Sequence, residues 1–164
     1  MNIFFLSVDA KLAAQYHVDR HAVKMITEAA QLLSTAHRVL DGDENGILPD
    51  TRQDILYKKT HVNHPCAKWV REAGVNYIWA YSLYCYLGEE YTHRYGKQHK
   101  SMNLKPFLSL PRSLELNFDT TINPPLAMPD EYKVGDAVES YREYYRKGKA
   151  HLHKWTNRER PDWL

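Results

Sequence analysis

Residues 16–40 read YHVDRHAVKMITEAAQLLSTAHRVL, and at about 100° per residue their apolar members gather on one side of a helix. Val18, Ala22, Met25, Ala29, Leu32, Ala36 and Val39 fall in one stripe, which Val23, Ile26, Ala30 and Leu33 widen to about half the circumference. That arc predicts a core-facing helix. Asp9 stands where its N-cap belongs and Asp41-Gly42-Asp43 gives a glycine stop, so one long helix is expected to run to about Leu40. Beside the arc, His17, His21, Lys24, Glu28 and Gln31 recur at 4-3-4-3 spacing and share one column. Asp19 and His37 point into the arc instead. An unpaired buried carboxylate is costly, so Asp19 needs a partner, either a structural ion pair or a catalytic group.

Outward from that helix, residues 3–7 read as a short buried strand or an extended lead-in, and residues 41–54 as a polar, acidic loop. A short helical or extended piece at 55–60 leads into His61-Val62-Asn63-His64-Pro65. Pro65 suits a first helical turn, with Asn63 or His64 as its cap. The helix that follows carries Trp69 and Arg71, bends or restarts near Gly74, and stops at Gly96. A shorter helix is expected around 101–110, with Pro106 inside it. Residues 111–133, with Pro111, Pro124, Pro125 and Pro129, predict an irregular strap over the helices. Asp136 and Glu139 have capping-box spacing and open a last helix that ends near Gly148. The reading is a mainly α, single-domain helical bundle over residues 1–164, with a long N-terminal helix and a Pro-rich irregular strap.

At 164 residues the chain suits one domain with a core of its own. Cys66 and Cys85 form no metal or redox motif and fit a reducing compartment. The apolar opening Met1–Leu6 is too short for a signal peptide, and no run approaches the ~18 apolar residues of a membrane span. A soluble cytoplasmic protein without membrane contact is therefore expected. The net charge of +2 points to no partner. Its distribution says more, with acidic residues at 41–54 and basic ones at 142–160, and such asymmetry suits a nucleic-acid surface as well as a solvated face. Twelve tyrosines and nine histidines are many for this length, and both join an apolar body to a polar tip that suits site walls and cores alike.

Several residues carry candidate chemistry. His17 and His21 have the i, i+4 spacing of metal ligands, which His61 and His64 could extend. Asp19 lies across the helix from them and the pattern matches no zinc motif, so no metal site is assigned and no cofactor is specified. Lys24 among histidines and apolar groups could attack an electrophilic carbon, with Glu28 as acid/base partner; a plain i, i+4 salt pair explains the same spacing. His61, Asn63, His64, Arg71 and Asn76, grouped around a helix start, offer donors for phosphate or carboxylate. Arg94 and Lys97 at a helix C-terminus complement its dipole or bind the same anion. Arg142, Tyr144, Tyr145, Lys149 and Trp155 belong to a basic stretch interleaved with aromatics, which can track a phosphate backbone or pack inward. The oligomeric state is not readable.

Residues 14–25 (AQYHVDRHAVKM), 30–37 (AQLLSTAH), 61–65 (HVNHP), 90–97 (EYTHRYGK), 127–133 (AMPDEYK) and 160–163 (RPDW) together resemble a family of small tailed-bacteriophage proteins. That resemblance implies a phage-infected host cytoplasm and brings no mechanism with it. The Asn2-Ile3 lead-in, the Ala/Gln/His-rich first helix and the His-Pro-led helix ending in an aromatic-Gly turn are also similar to pyrimidine-dimer DNA glycosylases. This second similarity implies an N-terminal amine of a processed chain as nucleophile, with a glutamate nearby. Asn2 departs from the pattern because it leaves Met1 in place, and Asp19 or Glu28 is the carboxylate available for the glutamate's role. The expected function is a phage-type enzyme acting on DNA or nucleotides by base excision or base modification, with His17, Asp19, His21, Lys24 and Glu28 as catalytic groups. Two other readings stay open: a non-catalytic protein that binds nucleic acid or inhibits a host defence, and a metal-dependent phosphohydrolase.

Overall fold

A computed structural model describes all residues, Met1–Leu164, as helices and irregular segments without a strand. Asp9 caps α1 (Ala10–Tyr16), its carboxylate accepting the Lys11 and Leu12 backbone N–H groups at 2.8 and 3.0 Å. The expected single helix is in fact two. The chain extends at His17 and Val18 before α2 (Asp19–Leu40) begins. Periodicity could not show this break, because its cause lies far along the sequence. Arg94 takes the Gln15 and His17 carbonyls that a continuous helix would have used itself.

The buried face of α2 is the apolar arc read from sequence, with Ala22, Met25, Ile26, Ala29, Ala30, Leu32, Leu33 and Ala36 inside and Val23 at its exposed edge. A short turn, α3 (Arg52–Ile55), closes the acidic loop. Buried Arg38 clasps that loop through the carbonyls of Gly46, Gln53, Leu56 and Tyr57. Pro65 opens α4 (Pro65–Glu72) with His64 as cap, and the chain breaks at Ala73 before α5 (Gly74–Tyr95). Gly96 ends α5 at φ +68°, a conformation that side chains with a Cβ disfavour. α5 is the central element and packs against α1, α2 and α4, while α2 also packs against α4.

Residues 3–7 are the extended lead-in, and Ile3, Phe4, Phe5 and Leu6 are all buried in one core with the helices. The helix expected around 101–110 is a 3₁₀ segment, Lys100–Phe107. Residues 111–129 carry no helix and form the strap. Asp136 caps α6 (Ala137–Glu143) by accepting the Glu139 N–H at 2.9 Å. The helix then widens into a π turn, Tyr144–Gly148, which turns Tyr145 fully into the core. Gly148 is required there, since a Cβ would stand 2.5 Å from the Tyr144 ring. No helix is long and apolar enough to cross a membrane.

The tail closes over the α1–α2 break. Asp19 N–H donates to the Lys154 carbonyl at 2.8 Å, and the Asp19 carboxylate accepts from the Thr156 N–H and hydroxyl at 2.8 and 2.7 Å. Arg94 adds a bond to Asp19 at 3.0 Å and one to Glu90 at 2.7 Å, and Arg158 grips Glu90 from the tail. Replacing Arg94 by Met should therefore destabilise the protein by about 3–5 kcal/mol, the usual cost of stranding buried charges by removing their partner. Urea denaturation measures it, and a loss below 1 kcal/mol would show that the network is not a structural tie.

Candidate active site

The polar column of α2 divides into two parts with different chemistry. The first is buried. His17 Nδ1 lies 2.6 Å from the Ala13 carbonyl, which can only accept, so this nitrogen carries the proton. Its Nε2 is enclosed without a protein partner. His21 Nδ1 meets the Tyr145 hydroxyl at 2.6 Å, and Phe4 stacks on the His21 ring at 4.3 Å between centroids. Phe4 does so from φ +40°. A non-glycine residue there costs on the order of 1–3 kcal/mol and persists only where surrounding packing fixes it.

Burial drives both histidines away from the charged form. His17 is pushed down to about 4, with the Ala13 bond opposing in part. His21 falls to about 3, through burial first and then the positive field of His17, Lys149, Lys24 and Arg20. Phe4, Tyr144 and Tyr132 form an aromatic rim beside His21, with Lys149 Nζ 4.8 Å from the Tyr144 ring centroid.

The second part opens to solvent. Lys24 Nζ lies 3.0 Å from Glu28 Oε1, with the lysine side chain 65% exposed and the glutamate side chain only 13%. The other glutamate oxygen accepts the Asn2 backbone N–H at 3.0 Å and lies 3.8 Å from the Met1 α-amine. Two primary amines thus flank one largely buried carboxylate. The Met1 side chain is buried, and the Asn2 side chain donates to the Ala127 carbonyl at 2.8 Å, so the strap fixes the start of the chain beside Glu28. His64, half-buried at the start of α4, feels the Met1 amine, His61 and Glu28.

The remaining candidates separate by what holds them. Asp19 is the structural ion-pair partner of Arg94. Burial alone would raise its carboxyl, but Thr156 and Arg94 outweigh that and hold it below the usual range. Arg94 points its whole fork into the protein. Arg71 donates to the Ala67 and Val62 carbonyls, and buried Asn76 to the Trp69 carbonyl across the α4–α5 break. Arg142 bonds the Leu6 carbonyl and lies over the Tyr16 and Trp163 rings. These four cationic or amide groups act as internal ties rather than as a surface for anions. His61, Asn63 and Lys97 are exposed. His61 and Asn63 adjoin His64, whereas Lys97 follows the far end of α5. His17, His21, His61 and His64 do not converge, and no three His, Cys, Asp or Glu groups come together as a metal-holding set.

Sequence reading missed Phe4, whose ring packing no local pattern announces. From the residues themselves it also gave no reason to bring Met1 to Glu28; the glycosylase resemblance implied a processed N-terminal amine near a carboxylate and left Asp19 and Glu28 as alternatives. Comparison with protein-family models, with curated proteins and with solved structures finds no match.

The neutral histidines have a measurable consequence. Between their ordinary value and the depressed folded value, His17 and His21 are protonated in the unfolded chain and neutral in the folded one. Their contribution is complete above about pH 6.5 and declines on acidification, at roughly 1.4 kcal/mol per pH unit for each. The decline is expected between pH 6.5 and 5, before carboxylates titrate appreciably. His17→Asn, whose amide can still donate to the Ala13 carbonyl, should remove one proton's share of that slope. Urea denaturation across the window tests this, and an unchanged slope in the variant would refute the assignment.

Proposed function

We propose that the chain is a DNA-directed enzyme of the base-excision type, in which Glu28 serves an amine that attacks the sugar carbon bearing the base. The observation that carries this reading is the Glu28 carboxylate with Lys24 Nζ at 3.0 Å on one oxygen and the Met1 α-amine at 3.8 Å from the other. An amine is a nucleophile only without its proton, and a neighbouring carboxylate can take that proton as the C–N bond forms. The amine nitrogen attacks C1′, the bond from C1′ to the base breaks, and the base leaves with a proton. Opening of the sugar ring, with a proton to its oxygen, then gives an imine between protein and sugar.

Met1 is favoured over Lys24 as the reacting amine. As a class, α-amines lose their proton closer to neutrality than lysine amines do. Lys24 is also the more exposed of the two, and suits a contact to phosphate. The similarity to pyrimidine-dimer DNA glycosylases supports an N-terminal amine beside a carboxylate, here Glu28, with Met1 standing where those enzymes have a processed terminus. The adjoining rim supplies what a nucleic acid needs: Arg20, Lys24 and Lys149 for phosphates and the Tyr144 and Tyr132 rings for bases. A setting in phage-infected cytoplasm follows from the family resemblance. A non-catalytic nucleic-acid-binding protein would use the same rim and form no covalent bond.

Borohydride reduction separates these readings. Incubation with a duplex carrying one abasic site should trap a covalent adduct, and peptide mapping should place it on the residue bearing the free α-amine, identified by intact mass. Glu28→Gln should lower the trapping rate by about 10²–10⁴-fold, the range of a general acid–base contribution. DNA binding without any adduct would leave the binding-protein reading standing and sink the enzyme.

A further inference from the structure

His21 is only 6% exposed, yet one of its ring nitrogens has no partner inside the protein. The Tyr145 hydroxyl is fully buried, and His21 Nδ1, at 2.6 Å, is the one acceptor it meets. A buried hydroxyl without an acceptor is costly, so the phenol proton points to Nδ1 and the histidine's own proton sits on Nε2. That Nε2–H is not sealed in the core as the Nε2 of His17 is, and it reaches the surface as an unpaired donor. Two costly features converge on this ring. Phe4 stacks on it at 4.3 Å from a backbone at φ +40°, and the π turn Tyr144–Gly148 brings Tyr145 to it. Phe4 in turn lies 6.2 Å from the Tyr144 ring, which lies 5.0 Å from Tyr132, and both tyrosines are partly exposed.

We propose that His21 is a base-binding residue of the Glu28 site, its Nε2–H donating to a carbonyl oxygen of the nucleobase on the sugar under attack. The place of that sugar rests on the base-excision reading; the unpaired donor and the aromatic row beside it do not. Two routes through the structure give the spacing. His21 and Glu28 lie seven positions apart on one face of α2, about 10 Å along its axis. The lead-in covers the same stretch, with the Phe4 ring on His21 and the Asn2 N–H 3.0 Å from Glu28. One nucleoside fills that span, its sugar at the Met1 amine and the far edge of its base at His21. A base suits this donor better than a phosphate, because burial keeps the imidazole uncharged and the neighbouring rings can stack on bases. Tyr145 is a positioning residue here, since its hydroxyl on Nδ1 keeps the proton on Nε2.

Two duplexes of one sequence isolate the base. Both carry a tetrahydrofuran abasic analogue in one strand. Opposite it stands a second analogue in the first duplex and, in the other, a 2′-fluorinated thymidine whose unpaired base resists release. Fluorescence anisotropy at fixed salt reads both affinities for the wild type and for His21→Asn, whose amide oxygen can still accept from Tyr145 but which has no donor in the place of Nε2. The wild type should bind the thymine duplex about three- to tenfold more tightly than the baseless one, the range of a single neutral hydrogen bond. His21→Asn should lose that difference and keep wild-type affinity for the baseless duplex. No difference in the wild type, a difference kept in the variant, or equal weakening on both duplexes overturns the proposal and leaves His21 a packing group. Should the variant not fold, wild-type protein with ¹⁵N-labelled histidine gives the second measurement. The His21 Nε2–H resonance, assigned through the contact with the Phe4 ring, should shift with the thymine duplex and stay in place with the baseless one; equal spectra overturn the proposal. A thymine preference carried by His21, with no borohydride adduct in the wild type, keeps the base contact and rejects the base-excision reading.

Discussion

Four hydrogen bonds from the Arg94 guanidinium hold the turn between α1 and α2 open, two of them to carbonyls of Gln15 and His17 and two to Asp19 and Glu90. Without that buried cation, the shortest way to satisfy those carbonyls would be the continuous helix that residues 9–40 favour by local pattern. A guanidinium inside a protein is itself expensive, and it is tolerated here because every direction of its fork meets an acceptor. The two carboxylates are then shared with the tail, through Thr156 on Asp19 and Arg158 on Glu90. One charge cluster therefore joins the first two helices, the central helix and the last residues.

With the break fixed there, the column along α2 acquires two environments. His17 sits at the break, fully enclosed, and turns back to the Ala13 carbonyl of the preceding helix. His21, one turn on, is covered by Phe4 from the lead-in and by Tyr145 from the π turn. Low-dielectric surroundings keep both rings neutral, each with a single hydrogen bond inside the protein. Further along, the cover ends. Lys24 reaches solvent, and Glu28 meets the lead-in where the backbone N–H of Asn2 and the Met1 amine converge on it. The strained Phe4 backbone belongs to the same arrangement, because the kink that covers His21 also sets how the first two residues run past α2.

The chemistry proposed for the site follows from this division. Lys24 and the Met1 amine flank a carboxylate that is mostly shielded from water. A shielded carboxylate interacts more strongly with nearby amines than an exposed one would. Cationic candidates elsewhere in the sequence serve a different end. Arg71 and Arg142, like Arg94, are bound to backbone carbonyls and hold segments together.

The sequence by itself determined the helical class, the buried arc of α2, the caps at Asp9 and Asp136, and the stop at Gly96. It also placed Lys24 beside Glu28 and required a partner for Asp19. All of these are decided within about one helical turn, where a 3.6-residue period or a capping side chain acts on its immediate neighbours. Only the tertiary structure decided which partner Asp19 takes, that α1 and α2 separate, that Tyr145 covers His21, and that Asn2 and Met1 come to Glu28. The residues in the Asp19–Arg94, His21–Tyr145 and Asn2–Glu28 contacts are 75, 124 and 26 positions apart. No local period encodes contacts at such separations. They are selected when burial forces each polar group to find whichever partner the packed helices bring within reach.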